Sequence, residues 1–474
     1  MKCLPIGEPR RHAERNRVGR GVAIWGGRGL RLTEQFPDVR PQGLGGAGAL
    51  PRGTSGREGR VVQDVRATPN PVQRVLFVSA DVPWPPDGGG RIASLRVLEA
   101  FARLYAVDLV ALADPFEPLD TAALRTLCGE VEIVPHPFTF GRHRARQLAV
   151  AARSVASLEP YRTRKFRSAA LAASLARRRS SGRYDLVHHE QFGVAQYFDP
   201  VLPATVLTQN VEAGIYRGAA EVGNIVGRTW ARLEAAKLGR SEAAMLSRFD
   251  HVFVLSDDDL TSLRASGIPS ISTIPIPAGP VLPRHRPPAG PLLLTLGSMS
   301  WFGVSDGLGW FHDNVFPLVR ERVPGVEWQI VGPGAPPRVR SWAGEPGIRL
   351  LGYVHDLADV VARSRVMLVP LRVAGGIRIK LLDAMAWGVP AVATSLGGQG
   401  IQFEDGEGCF RRDDPRSFAG AVIDLLVDDD LWERTADRGR AFLTRHHRTA
   451  DLDMAIREGV DRVIARRASS GRGR

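Results

Sequence analysis

Two glycine-rich turns in this chain lead into an arginine, and one of them adds a second cation and a carboxylate at short spacing: Gly375, Gly376, Ile377, Arg378, Lys380 and Asp383. These residues follow the apolar run Val366–Pro370 and open a helical pattern over Ile379–Trp387. The order strand, glycine loop, helix turns free backbone N–H groups and the positive helix end toward the carboxyl edge of a sheet. An anion the size of a diphosphate fits there. Gly375 and Gly376 let the backbone come close to it. Arg378 and Lys380 supply charged donors, and Asp383, one turn into the helix, can accept from a pair of ribose hydroxyls. The chemistry would be departure of a phosphate leaving group toward preorganised positive charge. The same residues would also make a plain glycine turn with a solvated basic face, and the motif alone leaves both readings open.

The second turn, Gly88-Gly89-Gly90-Arg91, ends a loop crowded with Pro83, Pro85 and Pro86. A helix starting there could bind a diphosphate or an acceptor, or the segment could be a simple connecting turn. His188, His189 and Glu190 close a short apolar run. In open α/β sheets, strand ends at a cleft are where catalytic groups sit, and a histidine there titrates near neutrality; a packed polar residue is the plainer alternative. Glu212, just after Gln209-Asn210, reads as acceptor-facing or as a helix cap.

These residues need a scaffold, and the apolar pattern supplies one. Short apolar blocks recur at Arg74–Ser79, Val107–Leu112, Val131–Val134, Leu186–Val187, Thr205–Leu207 and Val252–Leu255, separated by helix-length stretches. Strands alternating with helices predict a parallel sheet covered on both faces. Pro275–Pro291 breaks the pattern as a linker. It restarts with strands at Leu292–Leu296, Val326–Val331, Ile348–Leu351, Val366–Pro370 and Ala391–Ala393, and helices near Gly307–Val323, Asp356–Ala362 and Ile379–Trp387. The reading is α/β, with two Rossmann-like domains over residues 71–278 and 279–447 and a cleft between the carboxyl ends of their strands. Residues 448–474 read as a helix and basic tail. Residues 1–70, rich in Gly, Arg and Pro, bury too little to offset ordering entropy and are expected to be disordered.

Composition narrows the function classes. The 474 residues carry 63 Lys and Arg against 50 Asp and Glu, a formal net charge of +13. That balance favours anionic partners: phosphorylated substrates and, at the Arg-rich stretch Arg142–Arg179, anionic lipid headgroups. No zinc-finger, helix-turn-helix or aromatic RNA-binding signature supports nucleic acid. Three scattered cysteines argue against a disulfide framework or zinc site. No metal and no cofactor are expected: no Asp-x-Asp pair sits in a loop where such a metal would be expected, and Asp257–Asp259 opens a helix instead. No apolar run reaches bilayer length and Met1–Arg20 lacks the apolar core of a signal peptide, so the expectation is a cytoplasmic protein, which the Arg-rich stretch could bring to the inner face of the membrane or leave as a plain solvated helix face. A dinucleotide-dependent oxidoreductase would need G-x-G-x-x-G, whereas Gly88–Gly90 runs into Arg91-Ile92-Ala93.

Gly375–Pro390 resembles the nucleotide-sugar signature of glycosyltransferase family 4. Leu296–Phe302, Gln329–Pro333 and Leu351–Val354 resemble other parts of that family in order and spacing, as does the loop Ala80–Arg91. Tyr184–Glu190, Thr208–Glu212 and Phe249–Asp257 are similar to its bacterial envelope and exopolysaccharide members, and the likeness runs from about Arg74 to Leu443. The resemblance implies the GT-B architecture and hexosyl transfer with retention, without a metal. It implies a nucleotide-sugar donor at Gly297, Ser298, Tyr353, Gly375, Gly376, Ile377 and Asp383. Arg378, Lys380 and His189 become the catalytic candidates. A glycan or lipid-linked acceptor would meet Gly88, Gly89, Gly90, Arg91, Glu190 and Glu212. The family's two glutamates, eight positions apart, are Gly375 and Asp383 here. Glycine is familiar in the subgroup with a Gly-Gly-x-Arg-x-Lys loop; aspartate shortens the reach by one methylene. These departures keep open a non-catalytic nucleotide-sugar-binding protein and an epimerase of the same fold.

Overall fold

The structure is a computed structural model that describes residues 72–117, 119–139, 142–222, 224–373 and 375–469. The expected disordered extension, residues 1–70, lies outside them. Residues 72 to 469 form one compact unit built on two parallel sheets.

The first sheet holds β1 (Arg74–Ser79), β2 (Ala106–Ala113), β3 (Val131–Pro135), β4 (Leu186–Glu190), β5 (Ala204–Thr208), β6 (His251–Val254) and β7 (Ile271–Thr273), in the order β3-β2-β1-β4-β5-β6-β7. The second holds β8 (Leu292–Leu296), β9 (Glu327–Val331), β10 (Ile348–Gly352), β11 (Val366–Val369), β12 (Ala391–Ala393) and β13 (Cys409–Arg411), in the order β10-β9-β8-β11-β12-β13. Helices cover both faces, so central strands are buried throughout, as in β1, where five of six residues are buried. This is why continuous apolar runs marked them in the sequence.

In each sheet the strand order reverses once, between β1 and β4 and between β8 and β11. Such a reversal leaves a crevice at the strands' carboxyl ends, where ligands of open α/β sheets bind. Gly88–Gly90 and Glu190 follow β1 and end β4. Gly297 and Gly375 follow β8 and β11. Both glycine turns therefore stand at switch points.

Three features differ from the sequence reading. The pattern near Gly307–Val323 is two helices, Phe302–Asn314 and Phe316–Arg322, with Pro317 starting the second because it has no N–H to continue the first. The linker is pinned: Ile276 is buried in the first domain's core, and Leu282 N donates to Ala386 O at 3.0 Å. The last helix, Thr449–Ser469, returns to the first domain and buries Leu452, Ile456, Val460 and Val463 there. That spacing of four, four and three is one helical stripe. Ile379, from the glycine-loop helix of the second domain, belongs to the same core, so the two domains meet at the site itself.

Candidate active site

The second domain builds half of the site from three chain segments. β8 ends at Leu296, and Gly297 takes φ +150°, where a Cβ would stand 2.8 Å from Lys380 Nζ. Lys380, in the first turn of the helix Ile379–Trp387, donates to Leu296 O at 2.6 Å. Arg378 folds back over its own loop, donating from Nη1 to Gly375 O at 2.6 Å and Gly376 O at 2.9 Å, and from Nη2 to Leu396 O at 3.3 Å. Its Nε is buried without a partner among the described residues.

Neither cation has a carboxylate within ion-pair distance among the described residues; both lean only on carbonyl oxygens. Burial, and then the neighbouring Arg378, pull the Lys380 ammonium down to about 8. Burial brings the Arg378 guanidinium down to about 10, with the charge of Asp259 opposing. A buried cation resting on neutral dipoles keeps most of its desolvation cost, which an arriving anion would offset.

The first domain supplies the facing wall. Gly376 takes φ +68°, and its α-carbon lies so close to Gln209 O and Asn210 that no side chain fits there. Gly375 packs beside Ile215 and Asn210, and Ile377 touches the cores of both domains. Gln209 Nε2 donates to Gly90 O at 3.1 Å and to Glu190 Oε1 at 2.9 Å. The helix Gly89–Leu104 starts without a side-chain cap, and its first intrahelical bond is Ile92 N to Gly88 O. Side chains added at Gly88 or Gly89 would meet open space. Gln209 and Asn210 thus connect an uncapped helix start to the glycine loop that carries two uncompensated cations.

Several sequence candidates lie elsewhere or are already engaged. His189 is a correction. It is buried within the first domain, edge-on to Phe249 at 5.0 Å, and burial drives its imidazole down to about 3. β4 is a central strand covered on both faces, so His189 packs beneath a helix layer and stays neutral, not in the cleft. Glu190 is fully buried: Oε1 accepts from Ser94 Oγ and Gln209 Nε2, both at 2.9 Å, and Oε2 lies 3.2 Å from His188 Nε2. It positions Gln209 and the Gly89 helix, and does not face an acceptor. Glu212 is buried against Arg162 Nε at 3.1 Å. Arg91 is held by Asp81 at 2.9 Å and Glu117 at 2.5 Å, so its charge is satisfied inside the loop.

Asp383 points into the domain junction. Oδ1 accepts from Gly279 N at 2.9 Å and from Arg96 Nη2 at 3.1 Å, and Arg96 Nη1 also reaches Pro277 O. A ribose here would have to share the carboxylate with Arg96. Ser298 is exposed at the end of β8. Tyr353 is 44% exposed beyond edge strand β10, with His355 edge-on at 5.0 Å. Arg96, Gln209 and Asn210 carry more of the site than the sequence reading assigned to them. The spacing of Arg91 and Arg96 along their helix carried no sign of the partners each would find.

Among the described residues, no group of three His, Cys, Asp or Glu side chains is placed to hold a metal ion, and no helix is long and apolar enough to cross a membrane.

The arrangement matches known folds. A family model described as glycosyl transferases group 1 matches residues 290–428, the second sheet and its glycine loop. No curated protein matches the chain. HepE from Anabaena, solved with UDP and glucose, superposes with a TM-score of 0.56 at 14% identity, over 82% of this chain and 99% of that one. The pneumococcal O-GlcNAc transferase GtfA, with UDP and GlcNAc, gives 0.55 at 11% identity, over 83% and 99%. WaaG, a glycosyltransferase involved in lipopolysaccharide biosynthesis, gives 0.52 at 13%, over 80% and 98%. At these identities the likeness is one of fold, and the fold is GT-B, two Rossmann-like domains facing a cleft.

Proposed function

We propose that this protein is a glycosyltransferase of the family 4 type, moving a hexosyl group from a nucleotide-sugar to a glycan or lipid-linked acceptor with retention and without a metal. The observation that carries the reading is the pair of cations, buried Arg378 and half-buried Lys380, left without carboxylates at a switch point near an uncapped helix. The UDP held by HepE and GtfA in their structures suits that charge.

In the reaction, the acceptor hydroxyl oxygen bonds to the anomeric carbon and the bond from that carbon to the diphosphate breaks. The hydroxyl proton passes to the departing diphosphate, because Glu190 and Glu212 are engaged and His189 is sealed in the core. Arg378, Lys380 and the loop amides stabilise the charge that develops, without reorganising. Asp383 reaches the ribose with the oxygen that Arg96 leaves free.

A thermal-shift panel of UDP-, GDP-, ADP- and TDP-sugars tests the reading, since a bound donor stabilises the fold by mass action. One donor should raise the melting temperature and be transferred or slowly hydrolysed. Binding with neither reaction would favour the non-catalytic alternative, and isomerised donor would favour an epimerase. Product of opposite anomeric configuration by NMR would remove retention.

The acceptor side also suits work at an anionic membrane. Helices Arg144–Val155 and Ile225–Leu246 pack together through Glu234 and Lys237, and expose Leu148, Val155, Ile225 and Val226, with Leu158 86% exposed in the turn that follows the first of them. Arg144 and Arg153 on the first helix have no acidic partner among the described residues, whereas Arg177, Arg178 and Arg179 are paired with Glu132, Glu130 and Asp199. Binding to anionic vesicles that weakens with salt and with Leu158→Ser is expected; no binding would remove this part.

A further inference from the structure

Lys165 ends the short helix Tyr161–Lys165 in the first domain, and its surroundings resemble those of Lys380 more than those of a surface lysine. Its carbonyl lies 2.8 Å from His136 Nε2, which ties the helix to the carboxyl end of β3. Its ammonium rests over two aromatic rings, 5.3 Å from the Phe166 centroid and 5.9 Å from that of Phe138. Among the described residues it has no hydrogen-bond acceptor and no carboxylate within ion-pair distance. Burial first, and then Arg162, bring it down to about 8.

The acids whose charge reaches Lys165 are already taken: Asp81 by Arg91 at 2.9 Å, and Glu212 by Arg162 at 3.1 Å. The helix Arg144–Val155 adds a further cation nearby. Arg146 donates to Pro137 O at 2.5 Å, just beyond β3, and has no acidic partner among the described residues. Asp81 sits in the loop that delivers Gly88–Gly90, so Lys165 lies beside the acceptor wall of the cleft and on the opposite domain from Arg378 and Lys380. Aromatic faces stabilise an ammonium weakly compared with an anion.

We propose that Lys165, with Arg146 at its rim, forms a second anion subsite that takes an oxyanion, a phosphate or carboxylate group, carried by the acceptor. The inference rests on the glycosyltransferase reading for what the oxyanion is attached to, but not for the presence of the subsite. It selects acceptors with a negative group near the reacting hydroxyl, such as phosphate-linked or acidic glycans, over neutral sugars.

The probe is inorganic phosphate, titrated into protein saturated with UDP so that the donor cradle is filled, and followed by calorimetry. In parallel, it is titrated into an Arg378→Ala/Lys380→Ala protein, which removes the cradle instead. Wild-type protein with UDP should bind phosphate, and Lys165→Met should weaken that binding about tenfold while leaving UDP affinity unchanged. Arg146→Gln should weaken it less. Phosphate binding that is absent in both proteins, or unaltered by Lys165→Met, overturns the subsite. If UDP fails to bind the wild type, the donor reading fails, and phosphate titration of the cradle-less protein still decides whether Lys165 binds an anion. To separate free phosphate from an acceptor-borne group, methyl phosphate and glucuronate are compared with methyl glucoside. An oxyanion on a sugar should bind and the neutral glycoside should not; response to inorganic phosphate alone would reduce the site to a free-phosphate pocket and overturn the acceptor assignment.

Discussion

Two loops in this protein look alike in sequence and differ in charge balance. Each follows a β-strand at a switch point, each carries consecutive glycines, and each leads through an arginine into a helix. In Gly88–Arg91 the cation is held by Asp81 and Glu117, with Asp87 at 3.5 Å. In Gly375–Lys380 two cations find only carbonyl oxygens. The first arrangement is a finished structural brace, and what it leaves for a ligand is the bare helix start. The second is electrostatically unfinished. A glycine loop followed by arginine therefore leaves its charge available to an anion only where the rest of the fold withholds carboxylates.

The largest expected effect separates the loops directly. Arg378→Ala or Lys380→Ala should lower kcat/KM by on the order of 2–4 kcal/mol, by analogy with losing one oxyanion donor, or roughly 30- to 900-fold. The fold should survive in both. Folded variants that transfer at the wild-type rate would end the assignment. Arg91→Gln should do the reverse. It strands Asp81 and Glu117 in a partly buried pocket and should cost about 2 kcal/mol of stability, less than for a fully buried pair, a fall in Tm of roughly 2–3 °C for a unit of this size. UDP affinity should change little. A large loss of UDP affinity with unchanged Tm would show that the first loop is an anion site after all.

Next in size comes the pH dependence of the unfinished loop. Lys380 titrates at about 8, below its ordinary value. In the ligand-free protein the unfolded chain therefore holds this proton to higher pH than the folded one. The contribution to unfolding free energy rises with pH from about 8 up to the unfolded value, and below 8 the buried charge is a standing cost. On the proposed reading donor binding runs the other way, because a diphosphate held there would need the ammonium. UDP affinity should fall about tenfold between pH 7 and 9 as the protonated fraction drops. Lys380→Met should flatten that difference and raise the ligand-free Tm at pH 7 while weakening UDP binding. Identical pH profiles for wild type and Lys380→Met would show that the proton lies elsewhere.

How far the sequence revealed this contrast depends on the range of the interaction. Buried parallel strands are continuous apolar runs, so β1, β8 and β12 could be read to the residue, as could the helix Ile379–Trp387. Both glycine turns could be placed at the carboxyl ends of strands for the same reason, but the reversal of strand order beside them is seen only in the structure. Charge compensation could not. Glu117 lies 26 residues from Arg91 and Arg96 lies 287 from Asp383, and no local pattern encodes such pairs. His189 was misplaced because β4, flanked by β1 and β5, is covered on both faces; only its carboxyl end reaches the cleft, and Glu190 occupies it. The return of the final helix to the first domain was equally hidden, since its apolar stripe states that it packs but not against what.

The smallest expected effect concerns Asp383, where the two regions touch. Its Oδ1 holds Arg96 and Gly279 N, joining the helix after the first loop to the helix after the second. Asp383→Ala should weaken donor binding with little change in turnover at saturating donor, because a ribose contact is made equally in ground and transition states. Arg96→Gln separates that role from the domain brace. The ion pair is mostly shielded yet reaches solvent, so its loss should cost at most about 1 kcal/mol of stability. If Arg96 competes with the ribose for the carboxylate, freeing Asp383 should tighten UDP binding two- to threefold. In an Asp383→Ala background the same Arg96→Gln change should then do nothing, and that non-additivity is the signature of a shared partner. Equal and additive losses from both variants would mean that the pair only fastens the domains and that the ribose is held by other groups.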